Sequence, residues 1–327
     1  MPKVLHIGPC ETPGGMANVM HILAAHPPEG WEAELLSSHV AGSPWAKWRA
    51  YRKAMQALIK VLRDPKKRPD VIHLHTAADW SWRRKRRFAR VANKETIPHI
   101  VHIHSGQFDA WLKKSKLTHH RFVSSIRKYG SEVVVLSGYW KEILEHIIGP
   151  VKVIHNPINP NICHDSTVIR DTHHLLLMGR NDPIKGHQFA IDLIHELRKI
   201  YPSAKLSLTG VTHSDKQWIQ ALGWVSEKEK LSLLQRASVV LLPSTFEGQP
   251  LVALEALATN CPVIASNTVH GLPSSVLTAE YGNLPSWIEA YQSAPGLQVV
   301  EEAQGFQIES IRMQWGEYYC EILSTKI

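Results

Sequence analysis

The sequence predicts an α/β protein of two doubly wound domains, each a parallel sheet between layers of helices. Three observations predict it. Short β-branched runs alternate with longer amphipathic stretches along the chain, a segment with two prolines interrupts the alternation near the middle, and 327 residues are ample for two cores. A hydrophobic content of 44% with 20% charged residues excludes a disordered chain. No apolar run approaches the roughly 18–20 residues that cross a bilayer. The start, MPKVLHIGPC, reaches a strand without a basic leader, so a cytoplasmic protein is expected. Cys10, Cys163, Cys261 and Cys320 are widely spaced. They are expected to be buried thiols rather than a disulfide framework or a zinc ribbon.

In the first half the strands are predicted at Lys3–Ile7, Glu32–Leu36, Asp70–His75, His99–His104, Glu132–Leu136 and Val151–His155. Helices between them include Ala46–Arg63, Trp82–Ala92 and Tyr139–Ile148. HNPINPN (His155–Asn161) holds two prolines that a central strand rejects, so it reads as a linker. The alternation then resumes: HHLLLMG, a helix from about Lys185 to Ile200, KLSLTG, a helix near Lys228–Arg236, SVVLLP, a helix near Leu251–Ala258, and PVIAS. The domains expected are residues 1–157 and 163–305, followed by a C-terminal helix over 306–327. His6, His75, His104 and His155 come near strand ends, where such sheets bind ligands, and predict one polar crevice.

The sharpest chemical signal is PSTFEGQPLVALEALATNCPVIAS (Pro243–Ser266). A strand ends at Pro243, a loop holds Glu247, and the helix that follows carries Glu255 about two turns along. The backbone of Gly248, Gln249, Leu251 and Val252 at that helix start, with the helix dipole, makes a seat for phosphate. In LLLMGRNDPIKGHQFAIDLI (Leu175–Ile194), Arg180 follows a strand ending at Gly179, and Lys185-Gly186 opens a helix. A planar guanidinium fork and a compact ammonium suit a diphosphate. GPCETPGGMANVM (Gly8–Met20) places Gly14-Gly15 at a helix N-terminus, but its spacing is not that of the dinucleotide fingerprint.

These segments together resemble glycosyltransferase family 4, retaining enzymes of the GT-B fold, whose two signature glutamates are separated by seven residues. The order of the segments is similar over nearly the whole chain. The resemblance implies two Rossmann-like domains with an interdomain cleft, and a final helix that crosses back to the first domain. It implies that Glu247 holds the donor sugar's hydroxyls, that Glu255 holds the ribose, and that Arg180 and Lys185 contact the departing pyrophosphate. Gly179 and the stretch Gly248-Gln249-Pro250-Leu251 would line the donor. The Gly15 loop would lie over the donor phosphate or the acceptor, and His104, in HIVHIHSGQF, would border the reacting sugar. Gly223 and Val225 would lie beside the nucleobase. Two departures are modest: His155-Asn156-Pro157 lacks the usual glycine, and HGLPSS (His270–Ser275) lacks an acidic residue.

The resemblance further implies a UDP- or GDP-sugar donor, retention of anomeric configuration, and a glycan or lipid-linked acceptor. No Asp-x-Asp pair is present, so a divalent ion is possible but not implied, and no cofactor is expected beyond the co-substrate. Charge is asymmetric: residues 1–155 hold 25 Lys+Arg against 12 Asp+Glu, and the remainder 12 against 17. Ser43–Arg68 sets Trp45, Trp48, Tyr51, Met55, Leu58, Ile59 and Leu62 on one helical face among lysines and arginines, and Asp79–Lys94 adds two tryptophans and a basic run. An anionic membrane surface is the partner this suggests, placing the protein on the inner face of the cell membrane; no nucleic-acid motif accompanies the charge. Three other readings stay open. One is a GT-B sugar-nucleotide epimerase or phosphorylase, and another is a noncatalytic sugar-nucleotide-binding protein. The third is a metal hydrolase built on His73-x-His75 and His102-x-His104.

Overall fold

The computed structural model describes residues 1–325 and divides into two compact units. The first comprises Met1–Pro157 and the segment from Ile308 onward, and the second Ile158–Gln307. In chain order the first unit contains β1 (Lys3–Gly8), α1 (Gly15–Ala25), β2 (Glu32–Ser37), α2 (Pro44–Arg63), β3 (Val71–Thr76) and α3 (Trp80–Lys94). It continues with β4 (His99–Ile103), α4 (Phe108–Lys113), α5 (Lys116–Tyr129), β5 (Glu132–Val135), α6 (Gly138–Ile148) and β6 (Lys152–Val153). The second unit contains β7 (His174–Leu177), α7 (His187–Ile200), β8 (Lys205–Leu208), β9 (Ile219–Ala221), α8 (Glu227–Arg236) and β10 (Val239–Leu242). Then follow α9 (Leu251–Ala258), β11 (Val263–Ser266), β12 (Leu277–Ala279) and α10 (Leu284–Ser293), and the chain ends in α11 (Ile308–Ser324), which belongs to the first unit.

Both sheets have six strands, all paired in parallel. Their orders are β2-β1-β3-β4-β5-β6 and β12-β11-β10-β7-β8-β9. The strand order reverses between β1 and β3 in the first sheet and between β7 and β10 in the second. At such switch points the following loops diverge to opposite faces and leave a crevice at the carboxyl ends.

Alternation along the strands explains the two faces of the first sheet. Leu5, Ile7, Ile72, Leu74 and Val101 point into one core with Leu58, Phe88 and Phe122 from the helices. The intervening residues His6, His73, His75 and His102 are equally buried on the other face. There Trp315 and Tyr319 of α11 cover them, the His73 and Trp315 rings 4.4 Å apart. The second sheet is apolar on both faces, with Leu176, Val240 and Val263 in one core and Leu175, Leu177, Leu206 and Leu241 in the other.

Several expectations need correction. The helix expected from Lys185 begins only at His187, after a 3-10 turn at Pro183–Lys185, because Gly186 has φ of 72° and breaks the α ladder. The apolar residues of α2, expected on one helical face, divide between core and surface. Ala54, Leu58 and Leu62 are buried, whereas Trp45, Trp48 and Ile59 are exposed. Of the cysteines only Cys10 and Cys261 are buried; Cys163 lies exposed in the segment before β7, and Cys320 is on the outer side of α11. The strand endings at His104 and Leu136 shorten to Ile103 and Val135, and the last strand of the first sheet keeps two residues.

Candidate functional site

The switch point of the second sheet brings two motifs together. The loop after β10 lies on the loop after β7, with Thr245 N–H donating to the Ile184 carbonyl at 2.9 Å. Gly186 makes this approach possible: a Cβ there would stand 2.6 Å from the Pro243 carbonyl oxygen, on a backbone already at positive φ. Across the junction Lys185 Nζ donates to Glu247 Oε1 at 2.5 Å, and Ser244 Oγ donates to the same oxygen at 2.8 Å. Both partners of the ion pair keep partial exposure, 23% and 15% of their side chains. The pair is therefore reachable by a ligand. The stem of Lys185 runs beside Gly179, whose absent Cβ would touch it at 3.4 Å.

Arg180 occupies the same loop, its side chain 63% exposed and its guanidinium 3.7 Å from Asp182. Gly210, after β8, lets that loop sit close, since a Cβ there would be 2.7 Å from Arg180 Cα. Thr209 ties the two strand ends, accepting from Gly179 N–H at 2.8 Å. Neither Gly210 nor Thr209 was singled out in the sequence, although the strand-then-glycine pattern of KLSLTG carried the signal.

Gly248, Gln249 and Pro250 are buried at the start of α9, and Leu251 is its first residue. Its N-cap residue, Pro250, supplies no side-chain cap. Further along, Glu255 is only 4% exposed and accepts from Lys230 Nζ at 2.8 Å. Lys230, on α8, also pairs with Glu227 at 2.8 Å. Burial pushes the Glu255 carboxyl above its usual range against the pull of Lys230. Burial works against the Lys230 ammonium, but Glu255 and Glu227 outweigh it and hold its pKa above the ordinary value. Sequence reasoning missed Lys230, which sits in a run of alternating Glu and Lys that reads as a solvated face. Gly223, at φ of 63°, is buried and exchanges backbone hydrogen bonds with Gly210 and Val211, and Val225 follows two residues on, half-buried.

His104 and Gly15 belong to the first unit. Gly15 opens α1 behind Gly14, exposed and with no side-chain cap. His104 ends a ladder of imidazoles. Its Nε2 lies 3.0 Å from His75 Nδ1, and His75 Nε2 lies 3.0 Å from His6 Nδ1. A second ladder joins His102 Nδ1 to His73 Nε2 at 3.0 Å and His73 Nδ1 to the Tyr319 hydroxyl at 2.8 Å. Burial lowers the pKa of all five histidines, that of His6 to about 3, so the ladders are neutral. Ring nitrogens of His6, His73 and His75, and of His75, His102 and His104, come within 4.8 Å of one another, close enough to suit a cation; neither group includes a carboxylate. In this geometry three of the contacts are imidazole–imidazole bonds, while His102 Nε2 is buried without a hydrogen-bond partner. His155, expected in the same crevice, bonds the Leu136 carbonyl at 2.7 Å.

Two parallel six-stranded doubly wound sheets, each with its switch point, are the architecture of a GT-B protein. Comparison with known proteins agrees. Residues 172–291 match the family described as Glycosyl transferases group 1, and residues 15–162 match Glycosyltransferase Family 4. The chain belongs to this group, of the family 4 type. Among curated relatives it is 26% identical to the glycogen synthase of Mycobacterium tuberculosis, over 72% of this chain and 61% of that one. It is 30% identical to an uncharacterized glycosyltransferase of Methanocaldococcus jannaschii, over 60% of this chain and 56% of that one. The matched length is thus about 60% of such relatives. Among solved structures, sucrose-phosphate synthase from Thermosynechococcus elongatus superposes with a TM-score of 0.77 at 16% identity, covering 99% of this chain and 100% of that one. HepE of Anabaena, solved with UDP and glucose, gives 0.71 at 16% identity, covering 98% and 100%.

Proposed function

We propose that this protein transfers a sugar, with retention, from a UDP- or GDP-sugar to a saccharide or lipid-linked acceptor in cell-envelope or polysaccharide glycan assembly. The observation that carries the reading is the Lys185–Glu247–Ser244 contact at the β7/β10 switch point, beside Arg180 and the start of α9. Breaking the anomeric C–O bond sends an electron pair onto the diphosphate and leaves positive charge on the ring. Arg180, Lys185 and the α9 dipole are fixed positive ends that take up the first charge without reorganising. Glu247, held by two donors, orients the donor hydroxyls rather than attacking carbon. Gly179, Gly223 and Val225 shape the nucleotide's bed, Glu255 takes the ribose, and His104 and Gly15 serve the sugar and phosphate. A divalent ion is not required by this scheme.

Arg180→Ala, Lys185→Ala or Glu247→Ala is expected to lower turnover at least ~100-fold, the scale of losing one preorganised charge. The assay is sugar transfer with a panel of UDP- and GDP-sugars, after a thermal-shift screen for the donor. Wild-type turnover in Glu247→Ala would refute the assignment, and an isomerised sugar formed from donor alone would reveal an epimerase instead.

We also propose that the first unit meets an anionic membrane from the cytoplasmic side. Among the described residues no helix is long and apolar enough to cross a membrane. Trp45 and Trp48 stack at 4.7 Å on the exposed side of α2, and Trp80, 65% exposed, opens α3. Arg52 lies over Trp48 and Arg83 over Trp80, at 5.3 and 4.7 Å. Aromatic rings beside cations suit the headgroup region. Sedimentation with liposomes rich in anionic lipid tests this: binding at low salt is expected, and indifference to the anionic fraction counts against it.

A further inference from the structure

Lys85 is the one residue of the α3 basic run that the fold buries, to 1% exposure. It falls on the apolar stripe of Trp82, Phe88, Ala89 and Ala92, so the helix turns it inward. Its Nζ donates to Ser38 Oγ at 2.7 Å, and no carboxylate pairs with it among the described residues. The titratable groups acting on it are Arg84 and the Cys10 thiol. Beside it, Arg84 Nε is buried with no partner, and so is His39 Nδ1, next to Ser38. Lys85, Arg84 and Lys47 all act on His39 and, after burial itself, lower its pKa. Glu11 acts on Cys10. Ser38 in turn donates to the Gly8 carbonyl at 3.2 Å, which ties the cluster to the ends of β1 and β2.

A buried ammonium without a counter-charge is unfavourable, and native interiors pair such groups or let a ligand pair them. Here an unpaired ammonium, an orphaned guanidinium N–H and an orphaned imidazole nitrogen gather at the carboxyl end of the first sheet, near its own switch point between β1 and β3. Burial and Arg84 press the Lys85 pKa down to about 7, so an arriving anion would restore its proton. A carboxylate offers two oxygens and one charge. A phosphate offers three oxygens and close to two charges, which matches the donors present.

We propose that Lys85, Arg84, His39 and Ser38 form a binding site for a phosphate group carried by the sugar acceptor. The proposal rests on the glycosyltransferase reading, in which the donor's own phosphates belong to the second unit. The acceptor class it names is a phosphorylated sugar or a phospholipid headgroup, which share this chemistry.

The test measures binding to the whole protein by calorimetry, without donor, for inorganic phosphate, a panel of hexose monophosphates and a short-chain phosphatidic acid that stays monomeric. Each is repeated with UDP and GDP as controls. Lys85→Met keeps the buried volume and removes the charge; Arg84→Gln changes a half-buried residue and guards against misfolding of the first variant. Both are expected to weaken the phosphate ligand at least ~10-fold while nucleotide affinity stays unchanged. Preference for hexose phosphates assigns a soluble acceptor, and preference for phosphatidic acid a lipid one. Phosphate ligands that bind both variants as well as wild type, or bind none of the three proteins, overturn the site. In that case intact nucleotide binding leaves the glycosyltransferase reading standing. Phosphate binding lost in the variants, in a protein that binds no nucleotide, would sink that reading and spare the site.

Discussion

Glu255 and Lys230 set a test at the scale of single side chains, because burial and ligand binding make opposite demands on them. The carboxylate is almost sealed and its ammonium partner bridges two helices. Removing one partner leaves an uncompensated buried charge, so Lys230→Met is expected to destabilise the second unit by roughly 3 kcal/mol. The double variant Lys230→Met, Glu255→Leu should recover most of that stability in urea unfolding. If Glu255 also takes the ribose, the recovered protein will still bind nucleotide weakly; full nucleotide affinity in the double variant would reduce Glu255 to a packing role. Gly186 gives a second residue-scale prediction. Alanine there must adopt φ near 72° and meet the Pro243 carbonyl, so Gly186→Ala is expected to lose about 1–3 kcal/mol and to loosen the Lys185–Glu247 contact. Its urea midpoint and nucleotide affinity should fall together.

Helix α2 shows at the level of elements what periodicity does and does not reveal. The 3.6-residue spacing correctly marked a helix, yet it could not say which apolar residues the sheet would cover. Leu58→Ala, at a fully buried position, is expected to cost 2–5 kcal/mol, whereas Trp48→Ala, 46% exposed, should change stability by less than ~0.5 kcal/mol and weaken liposome binding instead. Equal stability losses for the two would remove the argument for a membrane-facing stripe. The central strands of the second sheet were legible because they are short apolar runs set close to glycine or proline, too short for a helix. Ile219–Ala221 and Leu277–Ala279 were not, being three-residue edge strands shorter than the pattern that would announce them. Glu247 and Lys185 were legible through local motifs. Their contact depends on Gly186 and the Pro243 turn, a tertiary approach that local spacing does not contain. Lys85 was hidden for a related reason: in the run Arg83 to Arg87 only the rotation of α3 against the sheet picks out the buried member.

At the scale of the whole molecule, the two units are expected to respond differently to acid. The first holds four buried imidazoles and the half-buried His104 in its ladders, together with His39 and His155, all with pKa values lowered chiefly by burial. In the second unit His174 is lowered as well, by burial and then by Lys205, against the pull of Asp171 3.4 Å away, one group against the seven of the first unit. A histidine kept neutral in the fold contributes full stability above its unfolded pKa of about 6.5. Below that value the unfolded chain binds protons that the fold refuses, so stability falls with pH down to the folded pKa, about 3 for His6. Each such group contributes up to about 1.4 kcal/mol per pH unit in that window. The first unit should therefore lose stability steeply between pH 6.5 and 5, while the second changes little. Guanidinium unfolding followed at pH 7, 6 and 5 should resolve one transition that moves and one that stays, since two-state behaviour is not expected of a two-unit chain. His73→Gln, which removes one imidazole from the ladder that ends on Tyr319, should flatten the slope of the moving transition. A first-unit midpoint that stays constant down to pH 5 would mean the imidazoles are protonated as readily in the fold as outside it, and the neutral ladders would be wrong.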